Sequence, residues 1–226
     1  RIENGKTFYD NSPLWIEKAV RESLIRLKTD YIDLYQVHYR DGKTPLSAVR
    51  EVLEKLKAQG LIRYYGLSNV HSKDIEEIKA YKGSFISFQN EYSLACRKNE
   101  KDIIEISRDL SMTPFTWGSL GQGILTGKYD KSVTFDSNDR RSREIYVNFH
   151  GEKLLKNLEI VEVMKQIALE QGCSVSAVAI RFILDYLKDS VVLAGMKNVR
   201  QLKGNIEAIG WHLLDEQLKR LEKVSS

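Results

Sequence analysis

The chain has 226 residues, 42% hydrophobic and 29% charged, the balance of a globular protein long enough to bury a substantial core as one domain. Its net charge of +4 is small and mixed in sign, and the nearest thing to a basic run, Arg140-Arg141-Ser142-Arg143, is too short for nucleic acid. No stretch approaches the ~18 apolar residues of a membrane span, and Cys96 and Cys173 make neither a disulfide framework nor a metal cluster, so a reducing cytoplasmic setting is expected.

The chain opens at Arg1 rather than at a methionine, in a stretch (Arg1 to Lys6) that reads as loop, so a piece of something longer is expected. Ser12-Pro13 signals a helix start, a hydroxyl cap followed by proline in the first turn. Ile16, Ala19, Val20, Leu24 and Leu27 then fall on one helical face. An apolar run, Tyr31-Ile32-Asp33-Leu34-Tyr35-Gln36-Val37, closes on His38. Thr44-Pro45 starts a second helix with Val49, Val52, Leu53 and Leu56 inward, and Gly60 ends it.

Strand-like runs then lead into Ser68-Asn69 and into Gln89-Asn90-Glu91-Tyr92, with a helix around Ile75 and Ile78 between them. A helix over 102–110 follows, then a strand at 114–118 that opens into Leu120-Gly121-Gln122-Gly123-Ile124-Leu125-Thr126-Gly127-Lys128. Residues 130–150 are polar and aperiodic and read as an excursion loop or lid. Helices are expected over 153–171, ended by Gly172, and 174–187, capped by Ser174. A last strand at 191–194, a helix from Val199 and a terminal helix over 214–224 capped by Asp215 complete the chain.

Five strands, each followed by a helix, give an α/β fold with parallel strands and right-handed crossovers. Polar residues at successive strand ends converge on one face, where such folds keep their sites. Taken singly, each has a structural reading: His38 as a barrel-end histidine, Ser68-Asn69 as a cap or turn, Trp117 as core, Lys197 as a solvated charge. Gly121 to Lys128 fails as a nucleotide P-loop, because Gly123 and Gly127 are one residue too close and Tyr129 stands where Ser or Thr is needed.

In order along the chain, Asp30-Tyr31-Ile32-Asp33-Leu34-Tyr35-Gln36-Val37-His38, Gly66-Leu67-Ser68-Asn69, Gln89-Asn90-Glu91-Tyr92-Ser93 and Gly121-Gln122-Gly123-Ile124-Leu125-Thr126-Gly127-Lys128 resemble the aldo-keto reductase superfamily. The likeness is strongest to its bacterial general reductases, which also resemble the β subunits of potassium channels. The resemblance implies a (β/α)8 TIM barrel, with residues 1–226 a single incomplete domain of about five βα units and the first three units missing. It implies hydride transfer between NADP(H) and an aldehyde or ketone, so the partner is a small-molecule carbonyl substrate, with no nucleic acid, membrane or metal; the sequence carries no signal of oligomeric state.

By the same resemblance, His38 is the tetrad histidine that hydrogen-bonds the substrate carbonyl. Ser68, Asn69 and Gln89 hold the nicotinamide carboxamide, and Trp117 stacks on the ring where the family usually has tyrosine. Gly118, Ser119, Leu120, Gln122 and Lys128 surround the pyrophosphate, and Gly195, Lys197, Gln201 and Asn205 bind the 2′-phosphate and adenine. The tetrad aspartate, tyrosine and lysine fall in the upstream units; Tyr9, Tyr39 and Lys43 lie in the wrong units to replace them. These residues alone are therefore expected to lack reductase activity. The rival readings are a regulatory barrel that holds cofactor without turnover and an inactive remnant.

Overall fold

The computed structural model describes residues 2, 3 and 6–226, and Arg1, Asn4 and Gly5 lie outside it. The opening is more ordered than loop: β1 (Ile2–Glu3) pairs antiparallel with β2 (Lys6–Thr7). The chain divides into two compact units, residues 1–90 with 101–114, and residues 91–100 with 115–226.

In the first unit, α1 (Pro13–Leu27) begins where expected, the Ser12 side chain accepting a hydrogen bond from Trp15 N. It buries Ile16, Val20 and Leu24. β3 (Ile32–Val37) lies parallel to β4 (Ile62–Ser68), with Ile32 opposite Ile62 and Val37 opposite Leu67. The intervening α2 (Leu46–Ala58) buries Leu46, Val49, Val52, Leu53 and Leu56, the i, i+3, i+4, i+7 stripe that a helix lays on a sheet. β4 pairs parallel with β5 (Ser87–Glu91) after a short α3 (Ile75–Lys79). Gly66 stands directly opposite Ser87 in that ladder. α4 (Glu100–Leu110) covers the unit with Ile103, Ile106 and Leu110. β6 (Thr113–Trp117) starts here, Thr113 N donating to Ile86 O at 2.9 Å.

In the second unit, the end of β6 pairs parallel with β7 (Val191–Val192), Phe115 opposite Val191. The long α5 (Gly151–Gln171) ends at Gly172 in the left-handed conformation. α6 (Val175–Leu187) is capped by Ser174, whose hydroxyl accepts from Ala177 N at 3.2 Å. Ala177, Ile180 and Ala208 form a buried cluster with Leu120, Cys173, Leu184, Val192 and Ala194 against it. α7 (Val199–Ile206) and α8 (Asp215–Ser225) follow. Asp215 is a first-turn residue and not the cap of α8: the N-cap is Leu214, whose N–H donates to the Gln217 carboxamide at 3.0 Å. Gln217 is buried, and Glu170 and Gln171 hold it on α5, so a packed amide takes the role that an exposed carboxylate was expected to fill.

Residues 130–150 contain only two 3-10 turns, Arg140–Ser142 and Val147–Phe149. The segment is nonetheless anchored. The Arg141 guanidinium donates to both oxygens of Asp139 and to Tyr129 Oη, and lies 4.3 Å above the Phe135 ring. Tyr129, Phe135 and Phe149 pack edge to face around it. Among the described residues no single helix is long and apolar enough to cross a membrane.

Candidate active site and cofactor-binding residues

The first unit brings the ends of three parallel strands together. β3 runs out at Val37 and leaves His38 exposed, its ring 4.6 Å from Tyr39. The next turn is fixed by a reciprocal staple in which Asp41 N donates to Asn11 Oδ1 and Asn11 N to Asp41 Oδ2, both at 2.8 Å. Burial opposes ionisation of Asp41, but N–H donors from Thr44, Asn11 and Lys43 outweigh it and hold the carboxyl well below the usual carboxylate range. Beside the histidine lies a cleft of ≈ 310 Å³ walled by Tyr9, Asn11, Trp15, Tyr35 and Tyr39.

β4 ends in Ser68 and Asn69. Asn69 has φ 57°, in the left-handed region that asparagine tolerates better than most residues. Its Nδ2 donates to His38 O at 2.9 Å and to Ser68 Oγ at 3.2 Å, and among the described residues no donor takes Oδ1. Ser68 is buried and its hydroxyl donates to Gln89 O at 2.9 Å, while Asn69 N donates to the same carbonyl at 2.8 Å. Gln89 alternates with buried Phe88 and Asn90 along β5; its own carboxamide is half-buried and makes no hydrogen bond among the described residues. One hydrogen-bonded set thus links His38, Ser68, Asn69 and Gln89 through main-chain carbonyls, and two carboxamides with spare hydrogen-bonding capacity remain at its surface.

The second unit carries the other predicted residues. Trp117 ends β6 half-buried. Gly118 follows at φ 70°, where an added Cβ would sit 3.3 Å from Glu91 Cγ. Gly121 N and Gly123 N turn back onto Gly118 O and Leu120 O, and Gln122 itself has φ 55°. Ser119 is 1% exposed and its hydroxyl donates to Thr116 O, so only its main-chain N–H is left for a ligand. Leu120 packs into the cluster around Ala177. The exposed Gln122 accepts from Asn148 Nδ2 at 2.6 Å, which ties the 130–150 segment to the glycine turn. Lys128 is exposed with its Nζ 4.7 Å above Tyr129.

Beyond β7, Gly195 and Lys197 are exposed. Lys197 N donates to Gln201 Oε1 at 2.7 Å, and Asn198 caps α7 through Gln201 N, so Gln201 also serves the helix start. Asn205 is 8% exposed and its Nδ2 has no partner among the described residues, an orphaned buried donor of the kind that a ligand acceptor would satisfy.

Several site-building residues carried no local signal. Asn90 bonds both main-chain groups of Val70, at 3.0 and 2.6 Å. Asp102 on α4 takes His71 Nδ1 at 2.8 Å and the Ser72 hydroxyl and N–H. Asn11, which holds the turn at Asp41, lies thirty residues away from it.

The match to known proteins is unambiguous. The model of the aldo/keto reductase family covers residues 3–226, and the chain belongs to that family. It is 32% identical to aldo-keto reductase YhdN of Bacillus subtilis over 98% of its length and 66% of that protein's. It is 30% identical to the NADH-specific methylglyoxal reductase of Escherichia coli over 95% of its own length and 65% of the other's. Among solved structures it is similar to the glycerol dehydrogenase AKR11B4 from Gluconobacter oxydans, with a TM-score of 0.88, 32% identity and coverage of 98% of this chain and 67% of that one. The chain spans just under two thirds of the length of these two curated relatives.

Proposed function

We propose that the protein is a nicotinamide-dependent oxidoreductase of small carbonyl compounds, working in the direction aldehyde or ketone to alcohol with NADPH. The observation that carries this is the linked set at the ends of β3, β4 and β5, in which Asn69 donates to His38 O and both Ser68 and Asn69 donate to Gln89 O. A bound nicotinamide supplies the hydride; the chain's residues orient what it meets. Asn69 Oδ1 and the Gln89 carboxamide offer an acceptor and a donor to a carboxamide, the complementary pair that fixes its rotation. His38, exposed at the strand end, presents an N–H to a carbonyl oxygen. In the second unit, the main-chain N–H groups around Gly118 and Ser119 suit phosphate oxygens, and the Asn205 amide suits an adenine acceptor.

Lys197 favours the 2′-phosphate of NADPH, although one relative's name specifies NADH and another, from Schizosaccharomyces pombe, specifies NADP(+). For the whole protein we propose the family's (β/α)8 barrel, in keeping with the parallel β-then-α alternation and the 0.88 TM-score. A cytoplasmic setting agrees with the free thiols Cys96 and Cys173.

The test uses the natural full-length protein with NADPH and methylglyoxal. His38→Ala is expected to cut kcat/KM about 10²-fold while NADPH affinity changes less than about twofold. Unchanged turnover would remove His38 from the reaction, and failure of the parent protein to bind NADPH would remove the reading altogether.

A further inference from the structure

Asn69 is a non-glycine residue held at φ 57°. Asparagine reaches that conformation more easily than most residues, and the groups around it decide how firmly it is held there. Ser68 and Asn69 N fix one side of it, on Gln89 O. The other side is the segment Val70 to Ser72, and two polar side chains hold that segment. Asn90 is 1% exposed and points away from the face that Gln89 presents; its Oδ1 accepts from Val70 N at 3.0 Å and its Nδ2 donates to Val70 O at 2.6 Å. An amide reading both groups of one buried peptide fixes that residue's position and orientation, in a surrounding where an unpaired group is costly.

One residue on, Asp102 holds the chain through three contacts: His71 Nδ1 at 2.8 Å, Ser72 N at 3.0 Å and Ser72 Oγ at 2.5 Å. Its carboxyl is held below the ordinary range by Ser72 and His71 against the opposing effect of burial. His71 N in turn donates to Asp74 at 2.8 Å and starts the turn into α3. The Asn90 amide is spent on Val70 and the Asp102 carboxylate on His71 and Ser72, and together these contacts fix where the backbone after Asn69 runs.

We propose that Asn90 and Asp102 are positioning residues for the nicotinamide end of the cofactor, acting through the clamped segment Val70–Ser72 on the carboxamide of Asn69. The proposal rests on the reading of Asn69 as a nicotinamide contact. It predicts that loosening the clamp is felt at the nicotinamide and not at the adenosine.

The test measures, on the full-length protein, the affinities of NADPH and of adenosine 2′,5′-bisphosphate, which lacks the nicotinamide. Asn90→Ala and the milder, isosteric Asp102→Asn are compared with Asn69→Ala. Each clamp variant is expected to weaken NADPH about tenfold, the scale of one lost hydrogen bond, and to leave adenosine 2′,5′-bisphosphate within about twofold. Added to Asn69→Ala, Asp102→Asn is expected to cost nothing further, since it acts through the same group.

Equal weakening of both probes would show general damage and overturn the proposal. NADPH binding unchanged in both clamp variants, with Asn69→Ala still selective, would overturn it and leave the functional reading standing. A parent protein that does not bind NADPH sinks that reading and the proposal with it. If Asn90→Ala does not fold, Asp102→Asn and the double variant decide the matter alone.

Discussion

Gly66→Ala tests the geometry of the strand ends most directly. Gly66 stands opposite Ser87 between β4 and β5, and a Cβ added there would lie 2.5 Å from Ser87 O and 2.3 Å from Ser87 Oγ. Ordinary contact begins near 3.4 Å, and the nearer of the main-chain obstacles is a ladder carbonyl that cannot swing aside. To clear it the strands must part by ~0.9 Å. The hydrogen bond from Ile86 N to Tyr65 O, now 3.1 Å, would then stretch to ~4 Å and be lost. Overpacking at ~1–3 kcal/mol and one or two lost ladder bonds at ~1 kcal/mol each give a destabilisation of about 2–5 kcal/mol. That is a large share of the ~5–15 kcal/mol by which domains are stable.

Gly118→Ala adds the same methyl group at a position where the nearest atom is the flexible Glu91 Cγ at 3.3 Å, and its cost is set by φ 70°, about 1–2 kcal/mol. Urea unfolding followed by circular dichroism compares the two. Because Ser68, Asn69 and Gln89 lie two or three residues beyond the parted pair, Gly66→Ala is also expected to weaken NADPH. A loss below about 1 kcal/mol, or a larger loss for Gly118→Ala, would refute the steric account of this ladder.

Two further outcomes are expected. Lys197→Ala should weaken NADPH by about 1–3 kcal/mol and NADH hardly at all, measured by isothermal titration; equal losses would show that Lys197 does not read the phosphate. Tyr65, fully buried and donating to the Glu54 carboxylate, has its phenol pushed up to about 12 by burial and by Glu54. The folded state therefore favours the neutral phenol, and this contribution is complete below pH ~10 and lost as pH rises towards the folded value. Tyr65→Phe should lower stability at neutral pH and make the alkaline fall between pH ~10 and 12 shallower, though not flat, because burial also raises Tyr92. An unchanged alkaline slope in urea midpoints would remove Tyr65 from that transition.

The parts of the fold that were legible in the sequence are those that burial and local capping decide. The apolar stripe of α2, the hydroxyl caps at Ser12 and Ser174 and the stop at Gly172 are written in spacing and residue type, and the structure has them. The N-terminal strand pair was missed because two-residue strands have no periodicity to read. The 130–150 segment looked like an excursion because it is polar, yet Arg141 among three aromatic rings and Asn148 on Gln122 tie it down. Composition reports how polar a segment is and not which of its charges will find a partner. The same limit hid the Asn90–Val70 and Asp102–His71 pairs, whose members lie 20 and 31 residues apart.

The candidate site shows why a motif position and a ligand contact are different things. Ser119 and Gln201 both fall in motif stretches, but the Ser119 hydroxyl is turned onto Thr116 O and the Gln201 carboxamide oxygen takes Lys197 N. Their side chains hold up the turn and the helix start, so what they can offer a phosphate or an adenosine is the main chain that they arrange and, for Gln201, the remaining amide. Gln89 and Asn205 are the reverse: each keeps hydrogen-bonding atoms that nothing among the described residues satisfies, Gln89 at a half-open strand end and Asn205 in a buried position where an unmet donor carries a cost of about 1–3 kcal/mol. A protein keeps such a cost where something else meets it. Substitutions should therefore separate along this line. Changes at Gln89 and Asn205 should act on cofactor affinity with little loss of stability, and changes at Ser119 should act on stability first.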